Sequence, residues 1–527
     1  MIKSLSVPLL ILLLASLTSL SQTPFSITNQ RAYSGNDYDI PVKHLKVGLN
    51  RKWHLGYTTS SEALDHQSIN NGGSDIWIIE EENNSINWEK SIGGLEEDVL
   101  KDGIVDKDGN VVLLSFSNSF MGGDKSENSR GSFDYWIVKI NPDGDIIWDK
   151  TIGGDGSDSP SSIIELESSY LIVGHSTSSI SGDKTEAPLG GFDIWMVEVD
   201  FSGSILNQNV IGTSQSDQVE EAIKFNDNEI LISSMSFGGI EGDKTVPHYG
   251  IGDCWLIRYN LNNRTISNQV SLGGIESEEF FTLKIVDNQV YVAIQSYSDI
   301  SGNKSINSYG EQDIWVVKLN NQLQILEQNS YGGNDNDYPI QICYNSLVSS
   351  NIFILGGSRS ISGTGLKNTP KFGDIDIYWV EVDKQTLDQV SDTVFGGAFS
   401  DSPAHVLNTA EGFSLLAETT SGISGNKTVP FLSVRDFWLL NLEFEPNAIA
   451  EMGDEKEFQV FPNPTSKQFQ LKGISKATRY ALYDAHSRTV LHGYYSPNDV
   501  LSVEDLAAGI YFLKLDGYSK VEKLIIN

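Results

Sequence analysis

Cysteine is almost missing from this chain: among 527 residues there are two, Cys254 and Cys343, 89 positions apart. So few thiols exclude a disulfide framework and a cysteine-held metal cluster, and both read as free, buried side chains in a protein stabilised by core burial. Basic residues are scarce as well. The 36 Lys and Arg face 70 Asp and Glu, for a formal net charge of −34. Residues 22–450 carry the whole excess, because residues 1–21 sum to +1 and residues 451–527 to −1. A surface that acidic repels phosphate backbones and anionic lipid and attracts cations, so nucleic acid is not an expected partner. Beyond the N-terminus no stretch approaches the ~18–20 apolar residues of a spanning helix, and no membrane span is expected. Catalytic signatures are missing too. The eight histidines, among them His54, His175, His248 and His405, show no H-E-x-x-H spacing, and no G-x-S-x-G elbow occurs. A paired-carboxylate hydrolase survives this exclusion, because seventy acids supply many pairs.

What is present starts with Lys3, an apolar stretch from Leu5 to Leu17, and small residues Ser19 and Ser21 before Gln22. This reads as a secretory signal peptide over residues 1–21. No cysteine sits at the cut, so a lipid-anchored form is not expected.

The rest is organised by a beat. Seven times an aspartate precedes a tryptophan by two or three positions: Asp75/Trp77, Asp134/Trp136, Asp193/Trp195, Asp253/Trp255, Asp313/Trp315, Asp376/Trp379 and Asp436/Trp438. Successive tryptophans are 59, 59, 60, 60, 64 and 59 residues apart, so one supersecondary unit is copied. Within residues 158–211, Ser161–Leu166, Tyr170–His175, Phe192–Val199 and Ile205–Ile211 read as four strands. Four short strands per unit make a propeller blade, and the period of 2 with frequent glycine excludes a helical solenoid. Ser26–Tyr33 resembles the fourth strand of other copies, and the last copy stops after its third strand, Asp436–Leu442. The expectation is an all-β chain: a seven-bladed β-propeller over residues 22–444, closed by the N-terminal strand with no open edge, and then a small β-sandwich. Each tryptophan can bury about 150–250 Å², a gross gain of about 4–6 kcal/mol at about 25 cal/mol per Å², so core packing suffices to explain the beat. These residues resemble the kelch and galactose-oxidase class, and more closely the bacterial propeller repeats written D-x-W-x-x-K, a turn glycine, then I-G-G. That resemblance covers residues 25–443 and implies a fold, not an activity.

Two loop motifs recur. After the fourth strand a glycine pair is followed four residues on by an acid: Asp39, Asp98, Asp158, Asp217, Glu278, Asp337 and Asp401. These would ring one mouth of the central channel. After the second strand comes Gly-Asp/Asn-Lys: Asp124-Lys125, Asp183-Lys184, Asp243-Lys244, Asn303-Lys304 and Asn426-Lys427, with a departing copy ending at Lys367 and none in the first repeat. Both motifs should share one face. As a site, the acids would suit a divalent cation, Ca²⁺ above all, or a glycan. As structure, each acid would accept backbone N–H groups from the next blade and each lysine would pair with a neighbouring carboxylate. The structural reading is preferred, because a residue needed in every copy is needed by every blade, and no cofactor is expected. Asp106–Gly109 and Asn141–Asp145 read as hairpin turns, not calcium loops. The most deviant loop, Thr364–Ile377 with Lys367, Lys371 and Phe372, is where a symmetry-breaking pocket is first sought.

After a linker, residues 445–457, the pattern changes. Phe461-Pro462-Asn463-Pro464, then Leu506-Ala-Ala-Gly509-Ile-Tyr511-Phe-Leu-Lys514 and the terminal Lys520-Val-Glu-Lys523 stretch outline a small sandwich over residues 458–527. This looks like the C-terminal sorting domain of type IX secretion in Bacteroidetes-like bacteria. The resemblance implies export through the periplasm, docking with the type IX machinery, and release or surface attachment. The leading expectation for function is a secreted or cell-surface module binding a protein or glycan. The alternatives are a polysaccharide-active hydrolase or lyase and a purely structural surface protein.

Overall fold

The repeat read from residues 158–211 folds as four antiparallel strands, Asp158–Glu165, Ser169–Ser176, Asp193–Asp200 and Ile205–Ile211. Its third strand shows why the apolar run is continuous instead of alternating. Trp195 and Val197 pack on one side with Tyr135, Ile152 and Ile163, while Ile194 and Met196 pack on the other with Val219, Ile232 and Trp255. A strand covered on both faces has no polar side to display.

The computed structural model describes residues 25–48, 50–444, 458–474, 478–484, 489–497, 499–504, 506–515 and 521–527. The signal segment 1–21, the linker 445–457 and Lys520 lie outside them. Residues 1–445 and 446–527 form two compact units. In the first unit there are seven four-stranded sheets, whose innermost strands are Asp39–Lys46, Asp98–Val105, Asp158–Glu165, Asp217–Asn226, Glu278–Val286, Asp337–Cys343 and Asp401–Asn408. Each innermost strand lies beside that of the next sheet, and that of the seventh lies beside that of the first. The arrangement is β-propeller-like.

One expectation is corrected: there is no closed sheet, and the edges are not abolished. The N-terminal strand Phe25–Tyr33 runs antiparallel to Asp436–Phe444 in the seventh sheet, yet it is an edge of that sheet, as Asp401–Asn408 is at the other side. The reason lies between sheets, where ladders do not form. Adjacent sheets share isolated bridges such as Phe133 with Ser157 and Tyr38 with Arg435 and single backbone hydrogen bonds between loops, such as Asp183 N to Gly153 O at 2.8 Å, and pack through side chains.

The glycine pairs serve that side-chain seam. In each Asp-x-Trp motif one carboxylate oxygen accepts the N–H four residues upstream, as in Leu189 to Asp193 at 2.7 Å and Leu432 to Asp436 at 2.7 Å. The other oxygen presses on the first glycine of the pair, so that a Cβ on Gly153 would stand 2.0 Å from Asp134 Oδ1 and one on Gly396 2.0 Å from Asp376 Oδ1. At the N-terminal strand Ser34 replaces that glycine and donates its hydroxyl to Asp436 Oδ1 at 2.7 Å.

The second unit pairs Gln459–Phe461, Gln468–Lys472 and Leu501–Ser502 in one sheet and Thr478–Tyr483, Thr489–Tyr495, Gly509–Leu515 and Val521–Ile526 in another, around Phe458, Phe469, Leu482, Tyr495, Leu513 and Leu524. Asn463 fastens its beginning to its end, donating to Lys523 O at 2.5 Å and accepting from Ile525 N at 2.9 Å. Among the described residues no helix is long and apolar enough to cross a membrane.

Replacing Gly153 by Ala should cost about 1–3 kcal/mol in urea unfolding, whereas Gly239→Ala, where nothing lies within 4 Å of the added carbon, should stay within about 0.5 kcal/mol. Equal losses at both positions would refute the packing role of the glycine pair.

Candidate functional site

The seven acids open the innermost strands and are fully buried. Each accepts the N–H four residues upstream: Gly35 to Asp39 at 2.6 Å, Gly94 to Asp98 at 2.7 Å, Gly154 to Asp158 at 2.7 Å, Thr213 to Asp217 at 2.7 Å, Gly274 to Glu278 at 3.1 Å, Gly333 to Asp337 at 2.8 Å and Gly397 to Asp401 at 2.6 Å. Hydroxyls add to this, as in Ser178 to Asp158 at 2.9 Å and Ser421 to Asp401 at 2.7 Å. Burial pushes these carboxyls above their ordinary range, to about 6 for Asp39, against the pull of the hydrogen bonds. Such groups rivet a turn to a strand, each with at least one oxygen held by a fixed backbone donor. Among the described residues no group of three or more His, Cys, Asp or Glu is arranged to hold a metal.

The lysine loops are rivets of a second kind. Lys184 Nζ donates to Ser176 Oγ and Ser178 O, both at 2.9 Å, and lies 5.6 Å from the Trp195 ring centre. Lys244 and Lys304 repeat this on Trp255 and Trp315, Lys125 lies over Trp136, and Lys427 over Trp438. Burial lowers Lys125 and Lys304 to about 8. The residue before each lysine reaches back to the previous sheet: Gly153 N donates to Asp183 at 3.2 Å, Gly212 N to Asp243 at 3.1 Å and Gly93 N to Asp124 at 3.2 Å. In the first repeat, where no lysine stands, His66 takes its place, forming the same bridge with Ala63 and sitting 5.4 Å from Trp77. In the sixth, the register position of the tryptophan belongs to Tyr378, opposite Gly356, and Lys367 lies 4.4 Å from its ring centre. Trp379 is one residue further on and packs with Phe25 and Phe413. The deviant loop thus keeps the common turn, with Thr364 bridged to Lys367.

The repeated residues being spent on the frame, symmetry breaks elsewhere. All seven innermost strands line one cavity of about 590 Å³. Each strand carries a β-bulge, and the extra residue, unpaired in its ladder, is Val42, Lys101, Ser161, Glu220, Phe280, Ile340 or Ala404 in sheets one to seven. No two are alike. The residue after the bulge ties neighbouring sheets: Lys43 Nζ meets Asp102 Oδ1 at 2.5 Å, and Asp102, Ser162, Glu221 and Gln341 accept the N–H groups of Ile163, Ala222, Leu283 and Val406 at 2.6–2.9 Å. All the bulge residues but Phe280 line the cavity, and the Ser161 hydroxyl also donates to Val219 O of the fourth sheet at 2.8 Å. Glu220 is pushed up to about 7, first by burial, with Glu279 raising it and Lys101 opposing. Sequence reading missed these positions. Pro41, Pro160, Pro339 and Pro403, each directly before a bulge residue, are the signal that could have found them, because proline within a strand marks an edge or a bulge.

His405, next to Ala404, is half-buried, lines the cavity and joins the buried His44 and His54 where the first and seventh sheets meet. His44 lies 5.2 Å from His405 and 5.9 Å from His54, ring centre to ring centre. His54 faces Glu81, Lys52 and Arg31; His44 also faces Lys52; His405 faces Lys43 and Lys284. Burial depresses all three imidazoles below 6.5. Unfolded histidines bind protons below about 6.5 while these do not, so their neutral packing is fully tolerated above that pH and the stability it carries is lost as pH falls toward the folded values. Against His405→Phe, the wild type should lose up to about 1.4 kcal/mol more per pH unit below pH 6.5, measured by denaturation from pH 7.5 to 5. Parallel pH profiles would exclude the cluster as the cause.

Residues 459–527 match the family described as a secretion system C-terminal sorting domain. No curated protein matches the chain. Among solved structures, the Pan2 WD40 domain of Neurospora crassa is similar at 10% identity over 80% of this chain and 98% of that one, with a TM-score of 0.43. The Dos1 propeller is similar at 9% identity over 79% and 96%, with a TM-score of 0.42. Hydrazine synthase of Kuenenia stuttgartiensis is similar at 10% identity over 66% and 90%, with a TM-score of 0.39. None of the three bears on what this chain binds.

Proposed function

We propose that the chain is an exported binding module, with kelch-like blades delivered by type IX secretion through the periplasm, which takes a protein or glycan ligand at the axial cavity. The observation that carries this is the contrast between fourteen repeated acids, all buried in the seams, and six bulge residues of six different kinds, Val42, Lys101, Ser161, Glu220, Ile340 and Ala404, around one cavity. A binding site breaks symmetry, and small-ligand sites are typically clefts of ~300–1,000 Å³ with a few convergent polar groups. The loop face is set aside because its lysines and acids are engaged.

The enzymatic alternative, a polysaccharide hydrolase or lyase, is favoured by Glu220 and Glu279, two carboxyls on different sheets whose charges interact. Binding ranks first because Glu279 is already engaged, accepting from Tyr297 at 3.3 Å and Ser277 at 3.4 Å. A thermal-shift screen of glycans and peptides should yield compounds that raise the melting temperature of the wild type but not of Ser161→Trp, whose indole fills the cavity. Equal shifts in both proteins would move the site away from the axis.

For export, the tail supplies the address and the signal segment the first crossing. Deleting residues 459–527 should leave the protein inside the outer membrane, read by cell fractionation. Undiminished delivery to the surface or medium would remove the sorting role.

A further inference from the structure

We infer that the ligand of the axial cavity is a carbohydrate, one sugar ring of which stacks on Phe280 while its hydroxyls meet Lys101, Ser161 and Glu220. This rests on the cavity reading above and narrows it to one chemistry. The bulge residues fall into two arcs. Sheets two to four present an ammonium, a hydroxyl and a carboxyl, from Lys101, Ser161 and Glu220, the Ser161 hydroxyl already donating to Val219 O at 2.8 Å and so offered as an acceptor; sheets five to seven and one present Phe280, Ile340, Ala404 and Val42. A pyranose has the same division, with a rim of hydroxyls that both donate and accept and a face of C–H groups.

Phe280 is the sharpest of these features. In the fifth sheet the bulge falls between Glu279 and Phe281, one position earlier relative to the opening acid than in the other six. Phe280 there has φ +45, a left-handed conformation uncommon for a bulky residue, and is 54% exposed. Phe281 and Thr282, the next two residues of the same innermost strand, line the cavity, so Phe280 stands exposed beside its lining. A large aromatic held out in water on a rigid strand is a stacking platform. On the opposite arc, neither Lys101 Nζ nor the Glu220 carboxyl has a hydrogen-bond or ion-pair partner among the described residues, although each feels the other's charge. Lys101 Nζ lies 5.1 Å from the Phe116 ring centre. A donor and an acceptor of opposite charge with no hydrogen bond of their own suit vicinal hydroxyls better than they suit a peptide. An extended peptide would look for an unpaired strand edge, and the innermost strands are interrupted at the bulge.

The test uses the full chain on a glycan microarray and, in parallel, on a peptide microarray. The wild type should bind at least one glycan and no peptide series. Phe280→Ala and Phe280→Leu should weaken that binding about tenfold or more, Phe280→Tyr should keep it, and Glu220→Gln should weaken it with an unchanged melting temperature. Undiminished binding by Phe280→Leu would overturn the inference, as would peptide binding alone. Thermal-shift compounds blocked by Ser161→Trp, with no glycan among them, would also overturn it while leaving the cavity reading intact.

Discussion

Six of the seven seams in the first unit depend on a carboxylate seated where a glycine has no side chain, and the seventh puts the Ser34 hydroxyl there instead. The Asp-x-Trp acid is held by an upstream N–H on one oxygen and lies against the glycine Cα with the other. That contact brings the turn after the fourth strand onto the start of the third. The turn in turn delivers the next acid, four residues later, to the opening of the next innermost strand. Sheet after sheet is positioned by the same two short links, and the lysine loop then clamps the joint from outside through Gly153 and its counterparts. The glycine pair is thus a steric requirement before it is a conformational one.

This explains why the fold was so legible and the site was not. The strand pattern, the tryptophan beat and the repeated acids are imposed by covering each sheet on both faces, so they recur and can be counted. The pairing of residues 25–33 with 436–444 was also readable, because Gln30 accepts the Trp438 indole N–H at 3.2 Å as Gln208 does for Trp195. What that pairing does was misjudged: it completes a sheet and leaves its edges in place, since the sheets meet by side chains. Tyr378 standing in for a tryptophan, and His66 for a lysine, escaped notice because a motif search fixes residue types while the register fixes positions.

The bulges escaped for the opposite reason. A bulge is a break in period, invisible to a count of alternating residues, and its residue can vary because no ladder uses it and only Ser161, donating to Val219 O, is tied into a seam. Variation read along the sequence looks like noise. Read around the axis, it is the part of the repeat that can vary without loosening the frame. The residue following each bulge shows the boundary of that freedom, since Asp102, Ser162, Glu221 and Gln341 differ in type yet all accept an N–H from the next sheet.

Burial also changes what the acidic composition means. All fourteen repeat acids are held above their ordinary range by desolvation, Asp75 and Asp313 to about 7 and Asp134 to about 6. A formal charge of −34 counts them as fully ionised, so near neutrality the protein carries less negative charge than its composition implies. Carboxyls whose folded values are raised stabilise the fold below the unfolded value near 3.8 and progressively lose that contribution as pH rises through about 6 to 7. The histidine cluster acts in the other direction, because His44, His54 and His405 resist the protons that the unfolded chain accepts below about 6.5. The two sets are not evenly placed. The acids are spread over every seam, whereas the three histidines are concentrated where the first and last sheets meet, so acidification strengthens the joints in general and loads that one in particular.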